Sequence, residues 1–110
     1  MPRSSSLDLL QGTLDLLILK TLSWGPGHGY AVARWIQQLT GEVLTVGEGS
    51  LYPALHRLED EGLVESFWQA SPSGPQRRYY RLTPAGEAGL AERRADWIRL
   101  MEAVNGALGI

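Results

Sequence analysis

Residues 49–64 read Gly49-Ser50-Leu51-Tyr52-Pro53-Ala54-Leu55-His56-Arg57-Leu58-Glu59-Asp60-Glu61-Gly62-Leu63-Val64. Leu51, Leu55 and Leu58 recur at helical spacing and form a narrow apolar stripe. Ser50 is placed to cap the amino end, where its hydroxyl can accept from an amide that has no intrahelical partner. Pro53 is then expected in the first turn, where a missing amide costs little. Gly62 is placed to close the helix, since glycine is the usual residue just past a helix end. With the leucines turned to a core, Ser50, Tyr52, Pro53, His56 and Arg57 are left to solvent or to a ligand. All but the proline are side chains that contact phosphates or base edges in nucleic-acid complexes, and the arginine fork matches the guanine edge.

The stretches on either side give this helix a setting. Residues 63–69 and 77–82 are rich in β-branched and aromatic side chains, and Ser71-Pro72-Ser73-Gly74-Pro75 between them is turn chemistry, which predicts a β-hairpin. Upstream, Tyr30, Ala33, Ile36 and Leu39 predict a second helix that Gly41 ends, preceded by a breaker-rich turn, Trp24 to Gly29. Residues 7–22 predict a first helix, apolar on nearly every side, with Ser6 as its cap. One core cannot cover all of it, so its second face, with Leu14 and Leu17, is expected either in a subunit interface or in a fully buried central position.

Thr83 and Pro84 start a last helix, as cap and first helical residue. Along it Leu90, Trp97, Met101, Val104 and Leu108 recur as a heptad-like seam suited to pairing helices, with Arg94 in one slot. The expected fold is therefore mainly α with a small β-hairpin: a winged helix-turn-helix with N- and C-terminal dimerisation helices. Residues 1–82 form the DNA-binding part and residues 83–110 the dimerisation helix of one compact unit.

Composition narrows the function. At 110 residues there is room for one core, and the absence of cysteine excludes disulfides, thiolate-bound zinc and a cysteine nucleophile. Two histidines leave little for a metal site, so no metal or other cofactor is expected. No apolar run approaches the roughly 20 residues that span a bilayer, and residues 1–6 lack signal-peptide order, so the default expectation is a cytoplasmic protein without a membrane partner. The net charge of -2 runs against the basic excess usual in DNA-binding domains. Its distribution matters more, since residues 66–86 contain Arg77, Arg78 and Arg81 and no acid, while Glu59, Asp60, Glu61 and Glu65 precede them. No phosphate loop, nucleophile triad or metal spacing suggests an enzyme.

Several motifs together carry a family resemblance: QGTLDLLILKTL at 11–22, HGY at 28–30, GSLYPALHRLEDEGLV at 49–64, Trp68, and RRYYRLTPAG at 77–86. Across nearly its whole length the chain resembles PadR-like transcriptional regulators, of the smaller type with a single C-terminal helix. The resemblance implies a bacterial or archaeal repressor that dimerises through its first and last helices and binds double-stranded DNA at a pseudo-palindromic operator. It also implies sensing of a planar aromatic small molecule, for which Trp97, with Arg94 and Met101 nearby, is the expected site; a core role for Trp97 is the alternative. The third helix departs from the pattern in having Arg57 as its single basic residue.

Strand alternation puts Arg77 and Arg81 on the face of Tyr79 and Arg78 on that of Tyr80. Arg77 and Arg78 are expected on DNA phosphates and Arg81 in a salt bridge or a helix contact. Tyr52 is expected to contact DNA, with coverage of the helix-hairpin junction as its other reading, and His56 stands equally between the two. His28 reads as a turn residue, and Trp24, Trp35 and Trp68 as packing residues. The rival function is a winged helix that binds another protein and no DNA.

Overall fold

The structure is a computed structural model that describes the backbone of residues 2–110 and the side chains from residue 12 onward. Helix α1 spans Pro2–Leu22, strand β1 Gly27–His28, helix α2 Gly29–Leu39 and helix α3 Glu48–Asp60. Strands β2 (Val64–Ala70) and β3 (Gln76–Leu82) form the hairpin, and helix α4 spans Pro84–Leu108. The three strands make an antiparallel sheet in the order β1-β3-β2.

The core lies where the first three helices meet the sheet. Ile18, Leu19 and Leu22 of α1, Val32 and Ile36 of α2, Leu51, Ala54, Leu55 and Leu58 of α3, and Val64 and Tyr80 are buried together. Each fully buried aliphatic side chain contributes about 1.5–3 kcal/mol. Leu14 and Leu17 are only partly buried against this cluster, as is Leu90 of α4. The leucine stripe of α3 is thus a core face, as its spacing predicts.

Local chemistry sets most element ends. Gly62, at φ 77°, follows the last residues of α3. The Leu63 amide donates to the Leu58 carbonyl at 2.9 Å and the Gly62 amide to Glu59 at 3.0 Å, a Schellman closure. Thr83 caps α4 by accepting from the Gly86 amide at 3.0 Å, with Pro84 directly after it.

Five expectations need correction. Helix α3 begins at Glu48 behind Gly47, which has no capping side chain, so Ser50 lies inside the first turn instead of capping it. The acidic Glu48 at that end favours the earlier start. Pro53 is consequently inside the helix, beyond the first turn, and the carbonyl its missing amide leaves unbonded belongs to solvent-exposed Gly49. Gly27 and His28, read as turn, pair with Tyr80 and Tyr79 as β1. Helix α1 starts at Pro2, before Ser6, and the side chains of Ser6, Leu9 and Leu10 lie outside the described residues. Finally, Trp35 packs against the core, whereas Trp24 and Trp68 are exposed.

Helix α4 dominates the shape. Its 25 residues extend roughly 37 Å, and only Gly86 is buried. The molecule measures 52 × 28 × 27 Å with a radius of gyration of 15.0 Å, above the roughly 13 Å of a compact chain this long. Among the described residues no helix is long and apolar enough to cross a membrane.

Candidate nucleic-acid interface

The outward side of α3 follows from its buried side. At 100° per residue, the face opposite Leu51, Ala54, Leu55 and Leu58 carries Gly49, Pro53, His56 and Asp60. Ser50 and Tyr52 lie on its two rims, and Ser50, Tyr52, Pro53 and His56 are all exposed. Tyr52 leans on the start of α2 so closely that a β-carbon at Gly29 would stand 2.7 Å from its hydroxyl. Any larger residue in place of the glycine of the HGY motif would make the tyrosine ring of the LYP motif shift, a link between two distant stretches that neither shows alone.

Arg57 departs from its expected place. Its guanidinium donates to Asp15 of α1 at 2.7 Å, and Arg93 of α4 reaches the other Asp15 oxygen at 3.5 Å and Glu61 at 3.2 Å. Burial raises the Asp15 carboxyl above the usual carboxylate range, against the pull of the two arginines. Arg57 thereby joins α3 to α1 and, through Asp15, to α4, with one guanidinium nitrogen bonded within the protein.

On the hairpin, Arg78 donates to the Ser66 hydroxyl at 2.8 Å and to Glu59 at 3.4 Å, while Ser66 donates to Glu59 at 2.6 Å. The wing is thus bonded to α3, and Arg78 is partly neutralised. Arg81 pairs with Glu65 at 3.5 Å, the salt bridge expected of it, and lies over the Phe67 ring at 4.6 Å. Arg99 pairs with Asp96. Among the described residues Lys20, Arg34, Arg77 and Arg94 form no close ion pair with a carboxylate, although the Glu42 charge acts on Arg34 from farther away.

Arg34 is a residue that the sequence reading missed. It stands over Tyr30 at 5.9 Å, and both line a cleft of about 560 Å³ shared with Tyr52 and Glu48 at the start of α3. The pattern Tyr30, Arg34, four residues apart on a helix that leads to α3, is the signal that could have found them. His28 proves to be the cap of α2, its Nδ1 accepting from the Ala31 amide at 3.2 Å. Burial, with the nearby Arg77 charge, holds its imidazole below the ordinary value.

The far half of α4 carries Ile98, Leu100, Met101, Val104 and Leu108 in the open, Leu108 being 68% exposed. Trp97 is half-buried and lines a second cleft, of about 540 Å³, with Leu16, Arg57, Arg93 and Leu100. The basic and apolar groups beside Trp97 there are Arg93 and Leu100. Arg94 and Met101, expected in that role, do not line it.

Comparison with known proteins agrees with this architecture. Residues 18–92 match the Transcriptional regulator PadR-like family. A transcriptional regulator from Clostridium thermocellum superposes with a TM-score of 0.81 at 30% identity, over 90% of this chain and 96% of that one. A PadR-like transcriptional regulator from Bacillus cereus gives 0.77 at 34% identity, over 92% and 96%. The transcriptional regulator Rv3488 of Mycobacterium tuberculosis is 49% identical over 61 residues, 54% of this chain and 56% of its own length. With the family match covering most of the chain and the winged-helix architecture shared along nearly its full length, the protein belongs to the PadR-like family of transcriptional regulators.

Proposed function

We propose that the chain is a homodimeric, sequence-specific DNA-binding repressor that acts in the cytoplasm on a pseudo-palindromic operator. The observation that carries this reading is the outward face of α3, bearing Ser50, Tyr52, Pro53 and His56, held beside the wing by the Glu59–Ser66–Arg78 bonds. A helix presented in this way fits the major groove, with base edges reached by the rim residues. Arg34 on α2 and Arg77 on the wing serve as phosphate contacts, since neither is held in a close ion pair. Arg57 and Arg78 act mainly by fixing the geometry of α3 and the wing. Residues 1–82 form the DNA-binding part, and 83–110 supply the dimerisation helix through Leu90, Trp97, Met101, Val104 and Leu108, with Leu14 and Leu17 of α1. The exposed apolar stripe on α4 supports that assignment, because an open face of this length is costly in water.

An effector site belongs to the same proposal. A planar aromatic acid would stack on Trp97 and meet Arg93 in the cleft beside α1, with micromolar affinity as the realistic expectation, since stacking adds only about 1 kcal/mol beyond burial. Such a ligand changes DNA affinity only if it prefers one arrangement of the two DNA-binding halves.

The test is to select bound fragments from the source genome and to measure affinity for a selected duplex across salt concentrations. Affinity falling steeply with salt supports the reading, and binding indifferent to salt overturns it. Titrating planar aromatic acids against wild type and Trp97→Ala, followed by tryptophan fluorescence and DNA release, tests the effector site. Equal binding by the variant, or binding without any change in DNA affinity, removes it.

A further inference from the structure

Strand register places Val64, Ser66, Trp68 and Ala70 on one face of β2, opposite Leu82, Tyr80, Arg78 and Gln76 of β3. Val64 and Tyr80 are buried in the core, and Ser66 and Arg78 are bonded to Glu59 of α3. This is therefore the face turned toward α3, and Trp68 is the next residue along it. On the opposite face Phe67 is covered, stacked on Tyr79 at 5.9 Å with Arg81 above it. Trp68 is 67% exposed, and among the described residues it makes no ring contact and no side-chain hydrogen bond.

An indole left this open forgoes much of the 150–250 Å² that an aromatic side chain normally buries, so its position calls for an occupant. Trp68 lies toward the tip of the wing, away from the start of α4. Val64 is opposite Leu82, two residues before α4 begins, and Trp68 lies four residues, roughly 13 Å, farther along the strand. On α3, Glu59 shares its side of the helix with His56 and Tyr52. Trp68 and Arg78 thus stand on the face of the wing that the Ser66 and Arg78 bonds to Glu59 join to α3, on the side of that helix that also carries His56 and Tyr52.

We propose that Trp68 is a non-ionic contact to the DNA sugar-phosphate backbone, its ring lying on a deoxyribose and its indole N–H donating to a phosphate oxygen. The assignment rests on the reading of α3 as the helix that meets DNA, and it extends that interface to a residue outside α3 and outside the arginines. Because the contact carries no charge, it adds affinity without releasing a counterion. Because it touches backbone and not base edges, it serves selected and scrambled sequences alike.

The experiment compares wild type, Trp68→Ala and Trp68→Phe by fluorescence anisotropy on a fluorescein-labelled duplex selected from the genome and on a scrambled duplex of equal length, at three salt concentrations. Aromatic stacking on nucleic acid sets the scale, and a sugar contact belongs at its low end, so Trp68→Ala should bind both duplexes roughly five- to tenfold more weakly. The slope of log affinity against log salt should not change. Trp68→Phe, which keeps the apolar ring and loses the N–H, should fall between. The melting temperature and the oligomeric state should stay close to wild type, since among the described residues this largely exposed side chain makes no ring contact and no hydrogen bond. If wild type binds and Trp68→Ala binds as tightly, the proposal for Trp68 is overturned while the DNA-binding reading stands. A Trp68→Ala variant that changes oligomeric state assigns the side chain to a protein contact and also overturns it. Failure of wild type to bind any duplex removes the underlying reading itself.

Discussion

Gly86 is where α4 is seated on the rest of the fold, and replacing it with alanine sets two effects of opposite sign against each other. Gly86 has no positive φ, so alanine fits the backbone, and in a helix the change alone would stabilise by about 1 kcal/mol. The added β-carbon, however, would stand 1.9 Å from the Leu63 carbonyl oxygen and 3.1 Å from Leu82 Cδ2. The nearest atom is backbone and cannot rotate away, so α4 must lift by more than an ångström. Lifting it strains the Thr83 amide bond to that same Leu63 oxygen, now 3.1 Å, and the Thr83 hydroxyl bond to Gly62 at 2.6 Å. Overpacking costs about 1–3 kcal/mol, a weakened hydrogen bond about 1, and a disturbed cap about 1. The net expectation for Gly86→Ala is a loss of about 2–4 kcal/mol. Gly106→Ala, with nothing within 4 Å of its added carbon, should be neutral or stabilising in an isolated protomer. Urea unfolding at one fixed protein concentration reads both, because the stability of a dimer depends on concentration. A Gly86→Ala protein as stable as wild type would refute the steric reasoning.

Other expectations follow from individual contacts. Met101→Glu places a charge on the open apolar stripe of α4 and should shift the protein to monomer or unfold it, read by sedimentation; an unchanged dimer would remove α4 from the interface. The folded-state pKa of His28 lies below its unfolded value, so stability is full above about pH 6.5 and is lost as pH falls through that value toward the lower folded one. His28→Asn retains a capping side chain and should abolish this share of the acid sensitivity in melts at pH 7.5 and 5.5. Arg34→Ala and Arg77→Ala should each make the salt dependence of DNA binding shallower by about 0.9 in log-log slope, whereas Arg57→Ala should lower stability and leave the slope alone.

What was legible in the sequence was what depends on neighbours in the chain. Gly62, Thr83 and Pro84 end and start helices through bonds made within a few residues, and the leucine spacing of α3 needs only its own period. Ser50 misled because Gly47 and Glu48 compete for the same helix start, and propensity does not rank them. Strand β1 is two residues long and carries no alternation, so only its pairing with β3 reveals it. Arg57 looked free because its partner, Asp15, is 42 residues away on another helix. The converse held for Arg34, an ordinary helix residue until the fold sets it over Tyr30 in the cleft shared with the start of α3. Trp68 reads as core by residue type, and the register that turns it toward α3 and leaves it open is a property of the folded hairpin.

The central claim is that two copies of this chain hold one symmetric duplex through a pair of α3 helices. Sedimentation velocity of a labelled, genome-selected duplex with increasing protein measures it most directly, since stoichiometry and salt dependence come from one set of runs. Two chains per duplex, on half-sites about 34 Å apart, with affinity falling steeply between low and physiological salt, is the predicted result. A single chain per duplex, or a complex indifferent to salt, would contradict it.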